Sequence, residues 1–468
     1  MSGCGIVWTM ASHDFEKELE EALEVPALAL EESIAFVEKE EKVIFDKKPL
    51  KLAEEYWQTL GPGLTTGAAD DNPSGIATYS QAGAQYGLQL IWTALFTYPF
   101  MATVQEMCAR IGIVSGQGLA ANIRKYYSAP ALYMATALLF FANTLNIAAD
   151  LGAMAAASRL LLPAVGFGLF VAFFAFISLW LQIFTTYARY AKYLKYLTFA
   201  LLSYVVVAFA VHLNWSEVLY HTLVPSLKFS KEQLFLLCAV LGTTISPYLF
   251  FWQTSQEVEE DILRGETSIA ARRAQVTPQV LKNMRTDVWS GMAFSNLVAF
   301  FIFAACAGTL YTHGITNIAT ADQAAQALRP FGEFAYVLFT LGIVGTGLLA
   351  VPVFAGSTAY AISESFGWKY GLYRKLKQAY AFYGIIIVSV LLGLAANFIH
   401  LDPIRALIYA AVANGVIAPI ILFFVVRLSG NRQVMREHTN GPLAAFMGWA
   451  TIVVMTISGV AAIVSLFW

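Results

Sequence analysis

The chain has 468 residues, of which 58% are hydrophobic and only 13% charged, and its mean hydropathy is +0.61. A soluble domain carries about 25% charged residues, so most soluble folds are excluded and a polytopic membrane protein is expected. The formal net charge of -2 and the lack of a basic tract to follow phosphates exclude nucleic acid as a partner. The bilayer is the expected surrounding, and no obligatory protein partner is indicated.

Residues 1–55 hold 14 of the 31 acidic residues and form a separate, acidic N-terminal segment. Apolar residues at helical spacing in FEKELEEAL and SIAFVEKEEKVIF predict amphipathic surface helices or a solvated tail. A regulatory or metal-sensing role for this segment rests on its acidity alone. The opening MSGCGIVWTM has neither a basic n-region nor an uninterrupted apolar run, so no cleavable signal is expected. Cys4, Cys108, Cys238 and Cys306 are scattered without disulfide or CxxC spacing.

Residues 56–468 read as a membrane domain, because a helix needs roughly 20 apolar residues to cross a bilayer. Eleven spans are predicted, near 60–83, 88–111, 130–158, 164–186, 193–213, 232–256, 287–311, 332–365, 379–399, 403–427 and 443–467. The loops after even-numbered spans hold 18 Lys and Arg, and those after odd-numbered spans hold five. This bias predicts a cytoplasmic N-terminus and an external C-terminus.

Span 1 contains the least membrane-like sequence of the apolar region, Asp70, Asp71, Asn72, Pro73, Ser74 and Gly75. Pro73 removes a backbone donor and Gly75 tolerates unwound backbone, so a helix break is expected. Irregular backbone at membrane depth survives only against protein or a water-lined cavity. Two carboxylates there call for a counter-charge, and a bound cation supplies one. Span 6 repeats the device at Gly242, Thr243, Thr244, Ile245, Ser246 and Pro247. Breaks at the openings of two five-span halves predict an inverted repeat with its site at the midplane. The halves would be about 56–213 and 231–428, with an extra helix at about 443–467.

These residues carry a resemblance. GPGL with the polar break and AGAQYG in span 1, QEMCARIGIVSGQGLA after span 2, AADLGA in span 3 and GTTISPYLFFWQTS in span 6 resemble the Nramp family of divalent-metal transporters. The resemblance is stronger to its branch of Nramp-related magnesium transporters, and it covers roughly residues 57–467. It implies an all-α integral membrane protein with a LeuT-type inverted repeat of 5+5 helices plus an eleventh, helices 1 and 6 being broken. It also implies a multi-pass protein of the plasma membrane.

The departures from the family pattern bear on selectivity. The usual DPGN of span 1 is Asn72-Pro73-Ser74-Gly75 here, with the acids one and two positions earlier at Asp71 and Asp70. The usual A-T-V-M-P-H of span 6 reads Thr243, Thr244, Ile245, Ser246, Pro247, Tyr248, so the thioether is missing. Soft sulfur suits soft and borderline metals, whereas an all-oxygen set suits magnesium, calcium or manganese. The expected metal site is Asp70, Asp71, Asn72 and Gly75 with Thr243, Thr244, Ile245 and Ser246. It would hold a partly hydrated Mg2+, with Mn2+ tolerated, as transported substrate; no cofactor is expected.

Members that move protons with metal carry a Glu and a His where this chain has Asn143 and Tyr248, neither of which titrates near neutral pH. Asp150 is the surviving acid of that chain. Uncoupled transport is therefore expected, with a proton-coupled Mn2+/Fe2+ carrier as one alternative and a non-transporting sensor as another. Glu106 lies at i,i+4 spacing from Arg110 and reads as a structural ion pair or an intracellular gate. Glu364 reads as solvated or as lining an exit path. No HExxH, GxSxG or phosphate-binding loop supports an enzyme.

Overall fold

The computed structural model describes residues 61–185, 201–399, 402–465 and 467. The acidic segment 1–55 lies outside the described residues, as do the first part of span 5 and Arg189, Lys192 and Lys195.

Span 1 is two helices, α1 (Pro62–Asp70) and α2 (Pro73–Tyr86). There follow α3 (Trp92–Ser115), α4 (Leu119–Tyr126), α5 (Ala129–Leu161), α6 (Phe167–Phe184), α7 (Leu202–Ala210) and α8 (Trp215–Leu223). Span 6 is again two helices, α9 (Lys231–Thr244) and α10 (Pro247–Leu263). The remainder is α11 (Ile269–Ala274), α12 (Pro278–Thr309), α13 (Ala321–Ala325), α14 (Phe334–Phe366), α15 (Tyr380–Ala396), α16 (Pro403–Ser429), α17 (Arg432–Met435) and α18 (Pro442–Ser465). Among the described residues there is no strand.

Eight helices there are long and apolar enough to cross a membrane, counting α9 with α10. Spans 1 and 2 fall short of that measure for a physical reason. Span 1 is cut into pieces of nine and 14 residues, and α3 carries Gln105, Glu106 and Arg110 in its buried part. The outermost helices turn their apolar faces outward, as a lipid solvent demands: Leu169, Phe173, Phe176, Trp180 and Phe184 of α6 are all exposed.

The packing has the symmetry of two inverted halves. Span 1 lies on span 7 (α1 and α2 on α12) as span 6 lies on span 2 (α10 on α3). The equivalent helices α3 and α12 pair with each other, as do α5 and α14. Span 3 meets span 9 (α5 on α15) as span 4 meets span 8 (α6 on α14).

Close approach between helices comes from small residues, the device used where lipid tails remove the hydrophobic drive for association. Gly63 and Gly67 of α1 form a GxxxG stripe against Gly291 of α12. A Cβ on Gly67 would stand 2.2 Å from the Gly291 carbonyl oxygen. On the other broken span, a Cβ on Gly242 would stand 2.1 Å from the Ala411 carbonyl oxygen of α16.

Candidate functional site

The break in span 1 is two residues long. Asp70 ends α1, Asp71 leaves helical geometry (φ -76°, ψ 49°) and Asn72 is extended (φ -72°, ψ 170°). Asn72 is the N-cap of α2: its Oδ1 accepts the Gly75 N–H at 2.7 Å, and Pro73 takes the first helical position, where no donor is needed. Gly75 is thus helical, not unwound as expected from sequence. Its smallness serves another end, because a Cβ there would come within 3.2 Å of Thr243 Oγ1.

The break in span 6 is shorter than expected. Thr243 and Thr244 complete α9, and only Ile245 (φ -115°, ψ 69°) and Ser246 (φ -88°, ψ 129°) depart from helix. The Thr244 hydroxyl donates to Val240 O at 2.8 Å, and the Ser246 hydroxyl donates to Thr243 O at 2.8 Å and Gly242 O at 2.9 Å. These hydroxyls turn back onto carbonyls of their own helix, which runs to Thr244.

These breaks gather buried oxygen. Asp70 and Asp71 are 0% and 1% exposed. Ser295 of α12 donates to Asp70 Oδ2 at 2.8 Å and lies 3.2 Å from Asp71 Oδ1. Asp70 Oδ1, Asp71 Oδ2 and the buried Thr243 Oγ1 have no hydrogen-bond partner. The second acid repels the first, and no cationic side chain is paired with either among the described residues. Buried carboxylates with open lone pairs are costly unless they are protonated or meet a positive charge. Among the described residues no three His, Cys, Asp or Glu side chains cluster as a metal centre, so hydroxyl, carbonyl or water oxygens would complete a shell around the pair.

The surrounding polar groups are fixed by the bundle. Tyr248 donates to Ala69 O at 3.2 Å and receives the Asn72 amide at 3.3 Å. Tyr79 bonds Thr244 Oγ1 at 3.2 Å. Asn143 donates to Phe354 O, Ser357 Oγ and Thr358 Oγ1 at 2.9–3.0 Å, which ties α5 to α14. Asp150 of α5 is fully buried, and neither of its carboxylate oxygens has a hydrogen-bond partner.

Other expectations divide. Glu106 is held by three partners: Arg285 at 2.9 Å, Trp289 Nε1 at 2.8 Å and Arg110 at 3.5 Å. The expected neighbour Arg110 is thus the most distant, and its guanidinium also donates to Asn440 Oδ1. Glu364 is not solvated. It is 2% exposed and accepts Ala121 N–H at 3.0 Å and the Ser255 hydroxyl at 3.3 Å, capping α4.

Sequence reasoning missed Ser295 and Asp287. Asp287 of α12 accepts the N–H groups of Gly61, Gly63 and Leu64 at 2.8, 2.6 and 3.0 Å, which anchors the start of α1. A lone Ser carries no sequence signal, whereas the Asp in RTDVW, just ahead of an apolar run, offered one.

Two half-helix pairs meeting around buried carboxylates, in a bundle with inverted pairing, define a membrane carrier of the LeuT type. The chain belongs to the Nramp family, whose model, described as "Natural resistance-associated macrophage protein-like", matches residues 63–465. It is 26% identical over 404 residues to the divalent metal cation transporter MntH of Aeromonas hydrophila, covering 83% of this chain and 91% of that one. It is 27% identical over 418 residues to MntH of Pectobacterium carotovorum, covering 85% and 92%. The crystal structure of an Eremococcus coleocola manganese transporter superposes with a TM-score of 0.70 at 16% identity, covering 88% of each chain. The nucleobase-cation-symport-1 transporter Mhp1 superposes at 0.52 with 15% identity, covering 87% and 91%.

Proposed function

We propose that the chain carries divalent metal ions across the plasma membrane by alternating access, with Mg2+ as main substrate and Mn2+ tolerated, without moving protons. The observation that carries this reading is the buried aspartate pair, with one oxygen of each carboxylate unpartnered. A hard dication of the magnesium class binds through one or two carboxylates while keeping several waters, and the donors at the breaks are oxygens. The names of the MntH relatives support divalent metal as the substrate class.

Two observations and one general magnitude support the uncoupled mode. An amide stands at Asn143 and is engaged as a donor to α14. A phenol stands at Tyr248. The membrane potential alone supplies about 4.6 kcal/mol per dication at 100 mV. Asp150, fully buried on α5, is the observation favouring the rival, a proton-coupled Mn2+ carrier.

Uptake of Mg2+ into proteoliposomes with a pH dye in the lumen tests the reading. Uptake without acidification is expected. Acidification in step with uptake would transfer the assignment to the coupled carrier, and no uptake of Mg2+ or Mn2+ would remove transport altogether.

A further inference from the structure

The polar interior does not stop at the aspartates. On α3, Met101, Gln105, Cys108 and Gly112 form one stripe at spacings of four, three and four. Its flanking members fix where it points. Met101 Sδ accepts the Asn296 amide of α12 at 3.0 Å, the Cys108 carbonyl accepts Thr254 Oγ1 of α10 at 3.1 Å, and a Cβ on Gly112 would stand 3.2 Å from Glu257 Cβ. Gln105 therefore lies on the face of α3 that packs against α10 and α12. It is 0% exposed and neither atom of its amide has a partner.

Gln253 and Glu257 lie one turn apart on α10. Gln253 Nε2 donates to Glu257 Oε1 at 2.8 Å, and Gln253 Oε1, fully buried, has no partner. Glu257 is 7% exposed, and the charges acting on it most are acids: Asp287, Asp261 and Glu260. Asp287 is committed to the start of α1. Glu257 is thus a buried carboxylate facing like charge, with the under-bonded Gln253 amide beside it and the unpartnered Gln105 amide on the neighbouring helix α3. The sequence reading quoted Gln105 and Gln253 within family motifs, gave them no role, and passed over Glu257.

We propose that Gln253, Glu257 and Gln105 form a second binding station for a hard, partly hydrated divalent cation, on the α1 and α10 side of the aspartate pair. This rests on the transport reading above, in which the ion crosses by alternating access around the aspartate pair. Gln253 lies about 10 Å and Glu257 about 16 Å along α10 from Ser246, at 1.5 Å per residue. A half-turn of the Gln253 amide exchanges its nitrogen for its oxygen. The two facing oxygens would then be 2.8 Å apart, close to the roughly 3 Å edge of an octahedron whose metal–oxygen bonds are 2.0–2.1 Å. One carboxylate, amide oxygens and retained water form a weaker site than the aspartate pair, and a path of successive moderate sites lets an ion leave as well as enter.

The test counts ions on the full-length chain in detergent with Mn2+ alone as probe, free Mn2+ being read by its paramagnetic resonance signal. Two ions per chain are expected for the wild type. One is expected for Glu257→Gln, one for the double variant Asp70→Asn with Asp71→Asn, and none for the triple combination. Mn2+ uptake by Glu257→Gln should fall at least tenfold, and Glu257→Asp should restore most of it. If Glu257→Gln fails to fold, Gln253→Leu with Gln105→Leu is used, and its second ion should bind at least tenfold more weakly. A wild type holding one ion, or variants of the station still holding two with unchanged affinity, would overturn the proposal. One ion with intact uptake removes the station alone. Two ions with no uptake leaves the station and removes the transport reading.

Discussion

The Ser295 hydroxyl stands 2.8 Å from Asp70 Oδ2 and 3.2 Å from Asp71 Oδ1, so one proton serves two buried acids. A hydrogen bond to a charged group contributes about 1.5–3 kcal/mol, and a bound dication would make this one far less important. Ser295→Ala is expected to lower the melting temperature of the ion-free protein and to enlarge the rise produced by saturating Mg2+. Ligand that binds only the folded state adds stability in proportion to the logarithm of its concentration over Kd. Equal losses with and without Mg2+ would reduce Ser295 to a packing residue.

Asp287 reaches the first turn of α1 through three backbone N–H groups. Removing an N-terminal cap costs about 0.5–2 kcal/mol, and the charge adds its interaction with the helix dipole. Asp287→Asn keeps one acceptor oxygen but not the charge. Backbone amides of Gly61 and residues 63–66 should then exchange with deuterium at least tenfold faster, while those of α14 are unchanged. Uniform acceleration across the chain would mean a global loss of stability, with no special hold on α1.

What could be read from the sequence depended on how loudly a residue contradicts its surroundings. Asp70, Asp71 and Pro73 stand out because charge and a missing donor are costly in an apolar helix, and the break is where they place it. The span 6 break was overestimated, since Thr and Ser hydroxyls look polar in a sequence yet turn back onto their own helix carbonyls, as Thr244 does to Val240. Gly75 gave the right place and the wrong reason: it makes room beside Thr243 and stays helical. Ser295 was invisible because one hydroxyl in an apolar helix is ordinary until its neighbours are known. Glu364 lies near a span end, where solvent is the default, and only the fold shows α4 beginning against it.

The contact of α1 with α12 leaves no room for a methyl group. A Cβ on Gly67 would meet Gly291 O at 2.2 Å, and one on Gly63 would meet Val288 N at 2.6 Å. These neighbours are backbone and cannot swing aside. Gly67→Ala is expected to push the half-helix off its seat, with an overpacking cost of about 1–3 kcal/mol. Mg2+ uptake should fall at least tenfold, while circular dichroism still reports the native helix content. Unchanged uptake would show that α1 can shift without disturbing the site.

Ser246 separates the two halves of span 6 and occupies the position where the family pattern has methionine. Its hydroxyl is turned onto Gly242 O and Thr243 O, so replacing it removes two local bonds and brings in a soft donor. A thioether favours soft and borderline ions over Mg2+, and magnesium loses water reluctantly. In proteoliposomes Ser246→Met should raise Cd2+ uptake relative to Mg2+ at least tenfold, mainly through loss of Mg2+ uptake. The isosteric control Ser246→Cys, carrying a thiol in place of the hydroxyl, should move in the same direction. If both variants keep the wild-type ratio, discrimination between hard and soft ions is not made at this break, and the aspartate pair alone must account for it.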